Sequence, residues 1–368
     1  MPGQHSILAA SAAHRWLNCT PSVKLCEQFP SGASQYAEEG TRAHTVCAYK
    51  LGELVHKPQP APDFEVDEAT AQYADDYVAF VAEHIRPGAE VLIEQRVHYG
   101  RWAEGGFGTA DCIVQHDGTM HIIDYKHGMG VPVSAENNPQ LKLYALGALE
   151  AFKFLFDITS VELSIFQPRI SNTNSWSLSV DDLLSWAEEE VRPKAKLAAA
   201  GEGEFCAGAH CQFCAAKNVC RARAEANLLQ CRKDFALPPA LDNEEIAVLL
   251  PKLDEIIAWA SDVKTYALES ALQGEHYDGY KLVNGRSVRK YTDEKAVADT
   301  VKNAGFNPYK QEVLGVTAMT KLLGAQRFKE LLGDLVSKAP GKPTLVPETD
   351  KRPAINDAAS DFAAVVNN

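Results

Sequence analysis

Two short apolar segments joined by a glycine turn restrict the fold of this chain more than any other feature. Residues 110–115 and 120–125 are rich in apolar and β-branched side chains, which are typical of strands. Asp117-Gly118 lies between them, and this dipeptide is a strong signal for a tight antiparallel turn. The sequence therefore predicts a β-hairpin.

The second strand of this hairpin ends in charged residues. Side chains alternate along a strand, so Asp124 and Lys126 point to one side and Tyr125 points to the other. Pairing within the hairpin can bring Asp111 alongside Asp124. Two carboxylates and an ammonium group on one sheet face suit a divalent cation. An edge hairpin with solvated charges is the alternative interpretation.

The segments around the hairpin predict a mixed α/β fold. Residues 90–97 have the pattern of a first strand, and a helix begins at Asn138-Pro139 with its proline in the first turn. Residues 161–169 predict a further strand and residues 180–199 a further helix. The order strand, hairpin, helix, strand indicates a mixed sheet with a crossover connection.

Further polar residues accompany the predicted site. Gln140 and Tyr144 are four residues apart and share a helix face. The alternative interpretation is a solvated glutamine and a tyrosine at the edge of the core. Glu94 either faces the acidic site or is an ordinary exposed strand residue. Gly40-Thr41 predicts a helix start with Thr41 as N-cap, which places His44 in the first turn. Taken alone, His44 is better interpreted as a surface or half-buried histidine.

A cysteine-rich segment predicts a metal or cluster site. The spacing C-x2-C-x5-C is formed by Cys211, Cys214 and Cys220. Three thiolates this close in a reducing compartment are ligands rather than disulfide partners. The fourth ligand must come from elsewhere, and Cys19 is the long-range candidate, with Cys206 and His210 as competitors. Ordinary thiols are expected at Cys26, Cys47, Cys112 and Cys231.

The composition is that of a soluble globular protein with one large or two smaller domains, at 368 residues and 46% hydrophobic content. No run of about 18 apolar residues predicts a transmembrane helix. The segment Met1-Pro-Gly-Gln-His lacks the features of a signal peptide, so we expect a cytoplasmic protein. The net charge of −13 does not indicate nucleic-acid binding, but a local basic groove would still permit it.

The last third of the chain differs in character from the rest. A proline-containing linker at residues 232–242 divides residues 1–235 from an extension, 236–368, that is mainly helical. The extension is expected to contain, in order, a long amphipathic helix at 241–272 that packs on the core or on a partner, short helices within 293–335 and a poorly ordered tail at 338–368.

In combination, these motifs resemble the PD-(D/E)xK nuclease superfamily, specifically its RecB-like branch with an iron–sulfur cluster. That branch includes the nuclease domain of AddB and the RecB-like CRISPR-associated exonucleases. The family pattern is Gly-Thr-x-x-His, Gly-x-x-Asp, Asp-x-Lys and Gln-x-x-x-Tyr in this order. It is matched by Gly40-Thr-Arg-Ala-His44, Gly108-Thr-Ala-Asp111, Asp124-Tyr-Lys126 and Gln140-Leu-Lys-Leu-Tyr144.

The resemblance covers about residues 7–222. The whole chain also resembles an uncharacterised phage and prophage family of such nucleases, through tail segments that begin at Gly279 and Gly341. Its members are thought to accompany phage single-strand annealing proteins, which makes such a protein an expected partner besides DNA. For a phage-encoded member, the expected location is the host cell cytoplasm.

The resemblance implies a restriction-endonuclease-like α/β core, with a mixed central sheet flanked by helices, and a metal-dependent DNA exonuclease for phage-type recombination or end processing. The implied ligands of Mg²⁺ or Mn²⁺ are His44, Asp111, Asp124 and the Tyr125 carbonyl. Lys126 would orient or activate the attacking water, and Gln140 and Tyr144 would position the water, the lysine or the phosphate. DNA-backbone contacts are expected from Arg42, Arg286, Arg289 and Lys290.

The resemblance also implies an iron–sulfur staple. A [4Fe–4S] cluster, with structural Zn²⁺ as the alternative, would be bound by Cys19, Cys211, Cys214 and Cys220. The family's usual Cys-Pro is here Cys19-Thr-Pro21, which is a small departure from the pattern. The alternative function is a non-catalytic DNA-binding or assembly module of a recombination complex that retains the fold. A zinc-stapled protein without nuclease activity would leave Asp124-Tyr-Lys126 unexplained.

Overall fold

The predicted hairpin lies within a five-stranded sheet. The computed structural model describes residues 6–29, 35–234, 243–283, 291–310 and 313–336. Its strands lie side by side in the order β1 (Glu90–His98), β2 (Phe107–His116), β3 (Thr119–Tyr125), β4 (Ser160–Gln167) and β5 (Asn172–Ser179). β3 and β4 are parallel, and the other neighbours are antiparallel. The predicted mixed α/β sheet is therefore confirmed.

The turn between β2 and β3 has the geometry that its residues predict. Asp117 has φ 44° and Gly118 has φ 73°, so both central residues adopt the positive φ that a type I′ turn requires. Cys112 pairs with Ile123 in the resulting register. The Gly118 carbonyl accepts a hydrogen bond from Thr159 N at 2.8 Å, which ties the turn to the chain entering β4.

Helices cover the sheet on both faces. They are α1 (Ala13–Asn18), α2 (Ser22–Cys26), α3 (Gln35–Leu54), α4 (Glu68–His84), α5 (Pro139–Phe152), α6 (Val180–Trp186) and α7 (Arg192–Ala200). Two further helices follow, α8 (Arg221–Asp234) and α9 (Asn243–Leu272), and Arg223 of α8 forms ion pairs with Glu255 and Asp262 of α9. The predicted crossover is α5, which connects the parallel strands β3 and β4. A π-helical turn, Ala187–Val191, joins α6 to α7, so the helix predicted over residues 180–199 is confirmed.

Alternation along β3 divides the core into two layers. Ile122 belongs to the buried cluster that contains Leu141 of α5, and its neighbour Ile123 belongs to the cluster that contains Val46 of α3 and Tyr77 of α4. Since adjacent residues of a strand point to opposite faces, the helices of these two clusters must lie on opposite sides of the sheet.

The chain divides into two units, residues 1–282 and 283–368. The second contains three short helices, α10 (Glu294–Asn303), α11 (Val316–Leu323) and α12 (Ala325–Leu332), followed by a 3₁₀ turn, Gly333–Leu335. These helices confirm the helical character expected of residues 293–335. The domain boundary predicted at 235–236 and the tail predicted at 338–368 fall outside the described residues. In the described ranges, none of the helices has both the length and the apolar character to cross a bilayer.

Two local expectations were wrong. Helix α3 begins at Gln35 and continues through Gly40, so Thr41 is not its N-cap and His44 is not in its first turn. The helix continues because a glycine inside a helix weakens it but does not end it. Within this helix, Thr41 Oγ1 donates to the Ala37 carbonyl at 3.0 Å. Strand β5 was not expected, although its burial alternates residue by residue as in a half-buried strand.

The crossover helix packs closely on the first strand. A Cβ added at Gly147 would lie 2.9 Å from Val97 Cβ and 3.0 Å from His98 N, and the latter is backbone that cannot rotate away. We expect Gly147→Ala to destabilise the protein by about 1–3 kcal/mol through overpacking. Gly40→Ala is the matched control, since no atom lies within 4 Å of the added Cβ in α3.

Because alanine has a higher helix propensity than glycine, Gly40→Ala should stabilise by about 0.5–1 kcal/mol. Urea denaturation of both variants measures these differences. Equal stability of the two variants would show that the approach of α5 to β1 is looser than described.

Candidate active site at the end of the hairpin

Asp111 joins the hairpin to helix α3. Its Oδ2 accepts a hydrogen bond from Tyr125 N at 2.7 Å, and its Oδ1 lies 3.1 Å from His44 Nδ1. Because Cys112 pairs with Ile123, Asp111 lies opposite Asp124 at the next step of the register. The structure therefore brings together His44 and the two carboxylates that the sequence analysis had singled out.

A second set of contacts connects β3 to the start of α5. Lys126 Nζ donates to Gln140 Oε1 at 3.1 Å, and Gln140 Nε2 donates to Asp124 Oδ1 at 3.3 Å and to Tyr144 OH at 2.9 Å. Lys126 Nζ also lies 2.6 Å from Asp124 Oδ2. Asn138 caps α5 by accepting hydrogen bonds from Gln140 N and Leu141 N, which fixes the first turn that carries Gln140.

Asp124 is the most deeply buried group of the site, at 2% exposure. Its Oδ2 forms an ion pair with Lys126 but lacks a well-aligned hydrogen-bond donor among the described residues. Burial raises the pKa of Asp124, although Lys126 opposes this effect. A buried carboxylate held in place by one ammonium group suits a site that binds a cation between acidic side chains.

Glu94 also belongs to this site, which settles the choice that the sequence left open. One ligand atom from each of His44, Glu94 and Asp111 lies within 4.8 Å of the others. Glu94 has φ 47°, an uncommon value for a residue inside a strand, and it interrupts the pairing of β1 with β2. No sequence signal could have revealed this, because the orientation of Glu94 depends on a local distortion of β1.

The electrostatics of the site favour positive charge. Burial alone would lower the pKa of His44, but the charge and hydrogen bond of Asp111 outweigh it and raise the value to about 9. Partial burial and the charge of Asp111 raise the pKa of Glu94 to about 7, although Glu94 is one of the exposed residues of β1. Burial would raise the pKa of Asp111, but the charge and hydrogen bond of His44 outweigh this effect and hold the pKa below its usual value. The imidazolium of His44 balances part of the negative charge of these carboxylates.

Other predicted contacts have different outcomes. The Tyr125 side chain points away from the carboxylates, as expected, and its hydroxyl lies 2.9 Å from His127 Nδ1. Arg42 stacks over the Phe64 ring at 4.3 Å and donates to the Glu65 carbonyl at 3.1 Å, so its guanidinium is held by the chain before α4. The remaining predicted DNA contacts, Arg286, Arg289 and Lys290, lie outside the described residues.

Cys19, the predicted long-range ligand, lies beside the cysteine-rich segment. Cys206 N donates to Cys19 Sγ at 3.5 Å, and His210 Nε2 lies 2.8 Å from the Cys206 carbonyl oxygen. Interactions with the sulfurs of Cys19 and Cys211, of which that with Cys19 has the larger effect, raise the pKa of His210 to about 10. Burial would raise the pKa of Cys19, but His210 and nearby backbone donors outweigh it and lower the value. All described cysteines are free.

Cys26 lies in the same region, although an ordinary thiol had been expected there. Its Sγ is 3.5 Å from Cys214 Sγ, and this hydrogen bond lowers the pKa of Cys26 to about 5. Cys220 immediately precedes α8 and forms no disulfide with another described cysteine. The structure therefore brings four thiols to one region, at Cys19, Cys26, Cys211 and Cys214, and leaves Cys220 beside them.

Comparisons with known proteins identify a family without assigning an activity. One similar solved structure is the crystal structure of SSO0001, which is 13% identical in sequence. The match spans 57% of this chain and 96% of the SSO0001 chain, with a TM-score of 0.23, which is too low to indicate a shared fold. The family model described as "Protein of unknown function (DUF2800)" matches residues 5–353. Because the match includes nearly the whole sequence, the chain belongs to the DUF2800 family.

Proposed function

We propose that this protein is a metal-dependent DNA exonuclease of the PD-(D/E)xK type. The observation that carries the proposal is the single hydrogen-bonded network in which Lys126 contacts both Asp124 and Gln140 beside the Asp111–His44 pair. An edge hairpin with solvated charges would not bury Asp124 or direct Lys126 and Gln140 toward it. The match of the sequence to the RecB-like pattern supports the same proposal.

The residues of the site fit a divalent cation. His44, Glu94 and Asp111 each offer a ligand atom within 4.8 Å of the others, and Asp124 adds a second, deeply buried carboxylate. Carboxylate oxygens suit Mg²⁺ and Mn²⁺, and the imidazole shifts the preference toward Mn²⁺. A bound ion would neutralise the scissile phosphate and lower the pKa of a bound water.

Lys126 has one donor available for the reaction. An ammonium group has three N–H donors, and the contacts with Asp124 and Gln140 account for two of them. The third can bind the attacking water or a phosphate oxygen, where the positive charge stabilises the charge that develops in the transition state. Lys126 is therefore the proposed catalytic residue on the phosphate side of the site.

Gln140 fixes the direction of that ammonium group. Its amide oxygen accepts from Lys126, and its amide nitrogen donates to Asp124 and Tyr144, so every contact pairs a donor with an acceptor. The Tyr144 hydroxyl accepts this bond and retains its own proton for the water or the substrate. Gln140 and Tyr144 are accordingly proposed as positioning residues.

We also propose that cysteine thiolates of this protein bind a structural metal centre. Thiolate ligands suit either an iron–sulfur cluster or Zn²⁺. We propose Cys19, Cys211, Cys214 and Cys220 as the ligands of a [4Fe–4S] cluster, which would fasten the segment before α2 to the segment before α8. A phage single-strand annealing protein is the proposed partner, in DNA recombination within the host cell cytoplasm.

The proposal is tested with end-labelled single- and double-stranded linear DNA. The purified protein should release nucleotides in Mg²⁺ or Mn²⁺ and should be inactive in excess EDTA. Intact DNA in both metals, together with DNA binding in a gel-shift assay, would refute the exonuclease and favour a non-catalytic binding or assembly module.

Glu94→Gln tests whether Glu94 is a ligand of the proposed metal ion. Replacing the carboxylate by an amide removes a negative charge from the site but keeps the shape of the side chain. We expect the Mn²⁺ concentration for half-maximal cleavage to rise about 10-fold or more, because losing a metal ligand weakens binding at least as much as losing a residue that hydrogen-bonds to a ligand. Glu90→Gln is the matched control, since Glu90 lies in the same strand but pairs with Lys57. An unchanged metal requirement in Glu94→Gln would remove Glu94 from the site.

A further inference from the structure

A second group of metal-ligating side chains lies outside the proposed active site. His84 is the last residue of α4, His121 lies in β3 and Glu162 lies in β4. One ligand atom from each lies within 4.8 Å of the others. The three residues are far apart in sequence, and only the packing of α4 against the sheet brings them together.

His121 has one ring nitrogen engaged and the other directed at a carboxylate. Its Nε2 lies 2.7 Å from Ser164 Oγ, which in turn lies 2.6 Å from Ser175 Oγ. Its Nδ1 faces Glu162 Oε2 at 3.8 Å. Metal-binding histidines commonly donate the second N–H to an oxygen in this way, which fixes the tautomer and leaves the other nitrogen for the metal.

The contact between His121 and Glu162 is too long for a hydrogen bond. The distance of 3.8 Å between Nδ1 and Oε2 exceeds hydrogen-bonding range. Two ligands of a tetrahedral ion with bonds of about 2.0–2.1 Å are about 3.3 Å apart, so a small movement would let both atoms bind one ion.

His84 completes the group. Its ring contacts the ring of His121 edge to face, with 4.5 Å between the centroids, and the ring of Phe80 at 4.8 Å. Its ring nitrogens have no hydrogen-bond partner among the residues that the structure describes. The Glu162 side chain is 32% exposed, which gives an ion access from solvent.

We propose that His84, His121 and Glu162 bind one divalent transition-metal ion of the Zn²⁺ class. Two imidazoles and one carboxylate favour Zn²⁺ over Mg²⁺ or Ca²⁺, which prefer oxygen ligands alone. The ion would fasten the C-terminal end of α4 to β3 and β4, and a water molecule would occupy the fourth position. The role is structural and independent of the proposed nuclease activity.

The test compares bound zinc among variants of the full chain. The wild type, His84→Gln and Glu162→Gln are dialysed against buffered Zn²⁺ and analysed by mass spectrometry, with His116→Gln as the matched control. His116 lies in the same hairpin but contacts Pro87 and Asp117 instead. We expect each ligand variant to bind about one equivalent less than the wild type, because removal of one of three ligands disrupts the site, and the control to bind as much as the wild type. We also expect Zn²⁺ to raise the melting temperature less in the ligand variants than in the control.

This design separates the proposed zinc site from the other metal-binding groups. The cysteines and the His44 group are present in every variant, so their zinc cancels in the differences. If His84→Gln does not fold, Glu162→Gln decides, because its side chain is partly exposed and its replacement removes only the charge. Wild-type zinc content in folded Glu162→Gln would overturn the proposal.

Discussion

Lys126→Ala is expected to abolish DNA cleavage while the protein remains folded. The substitution removes the only ammonium group among the described contacts of Asp124 and Gln140. Removing one group that stabilises developing charge typically lowers kcat by about 10²–10³-fold. Lysine also orients the water in the proposed mechanism, so we expect a loss of at least that size in nucleotide release.

The effect of Lys126→Ala on stability should be smaller. The substitution leaves Asp124 buried without its cation, but burial already raises the pKa of this carboxyl, so it can take up a proton. We expect destabilisation of about 1–3 kcal/mol, as for a buried polar group that loses its partner. Lys153→Ala is the control, since Lys153 follows the opposite end of α5 and pairs with Glu150. Full activity of a folded Lys126→Ala variant would contradict the assignment.

Cys211→Ser is expected to cause the largest loss of stability in the chain. Binding of a structural metal centre contributes on the order of 10 kcal/mol, which is comparable to the whole stability of a domain. Without the metal, the segment around Cys19 and the segment around Cys211 would be held by the Thr20–Glu202 hydrogen bond and the contacts of His210. We expect the variant to lose its iron, to lose the brown colour of anaerobic preparations and to become sensitive to proteases between these segments.

The same experiment identifies the fourth ligand. Cys19→Ser should lose the iron as Cys211→Ser does, whereas Cys206→Ser and Cys26→Ser should retain it. Cys206 is exposed, and the Cys26 contact with Cys214 is explained by a simple thiol hydrogen bond. Loss of iron from Cys26→Ser together with its retention in Cys19→Ser would replace Cys19 by Cys26 in the ligand set. A colourless protein with stoichiometric zinc would instead replace the iron–sulfur cluster by a zinc site.

The sequence predicted the parts of the site that depend on local periodicity. The hairpin followed from Asp117-Gly118, and the common side of Asp124 and Lys126 followed from the alternation of a strand. The contact of Gln140 with Tyr144 followed from a spacing of one helical turn. Each of these depends on a few neighbouring residues, so the sequence alone contains enough information.

The parts that sequence analysis missed depend on tertiary packing. The sequence named Glu94 as a candidate but left its direction open, because no pattern of letters specifies the positive φ that β1 adopts at this residue. Cys26 approaches Cys214 only because α2 packs beside the cysteine segment. The group of His84, His121 and Glu162 is formed by three elements with no shared spacing. Thr41 was misjudged because the preceding glycine did not interrupt α3.

The central claim is that the hairpin site hydrolyses DNA from an end. The most direct measurement compares linear duplex DNA with covalently closed circular DNA of the same sequence, both incubated with the purified protein and Mn²⁺. We expect the linear DNA to be degraded to small products and the circular DNA to remain intact. Persistence of both substrates would contradict the proposed hydrolysis, and cleavage of the circle at a rate equal to that of the linear DNA would contradict its dependence on an end.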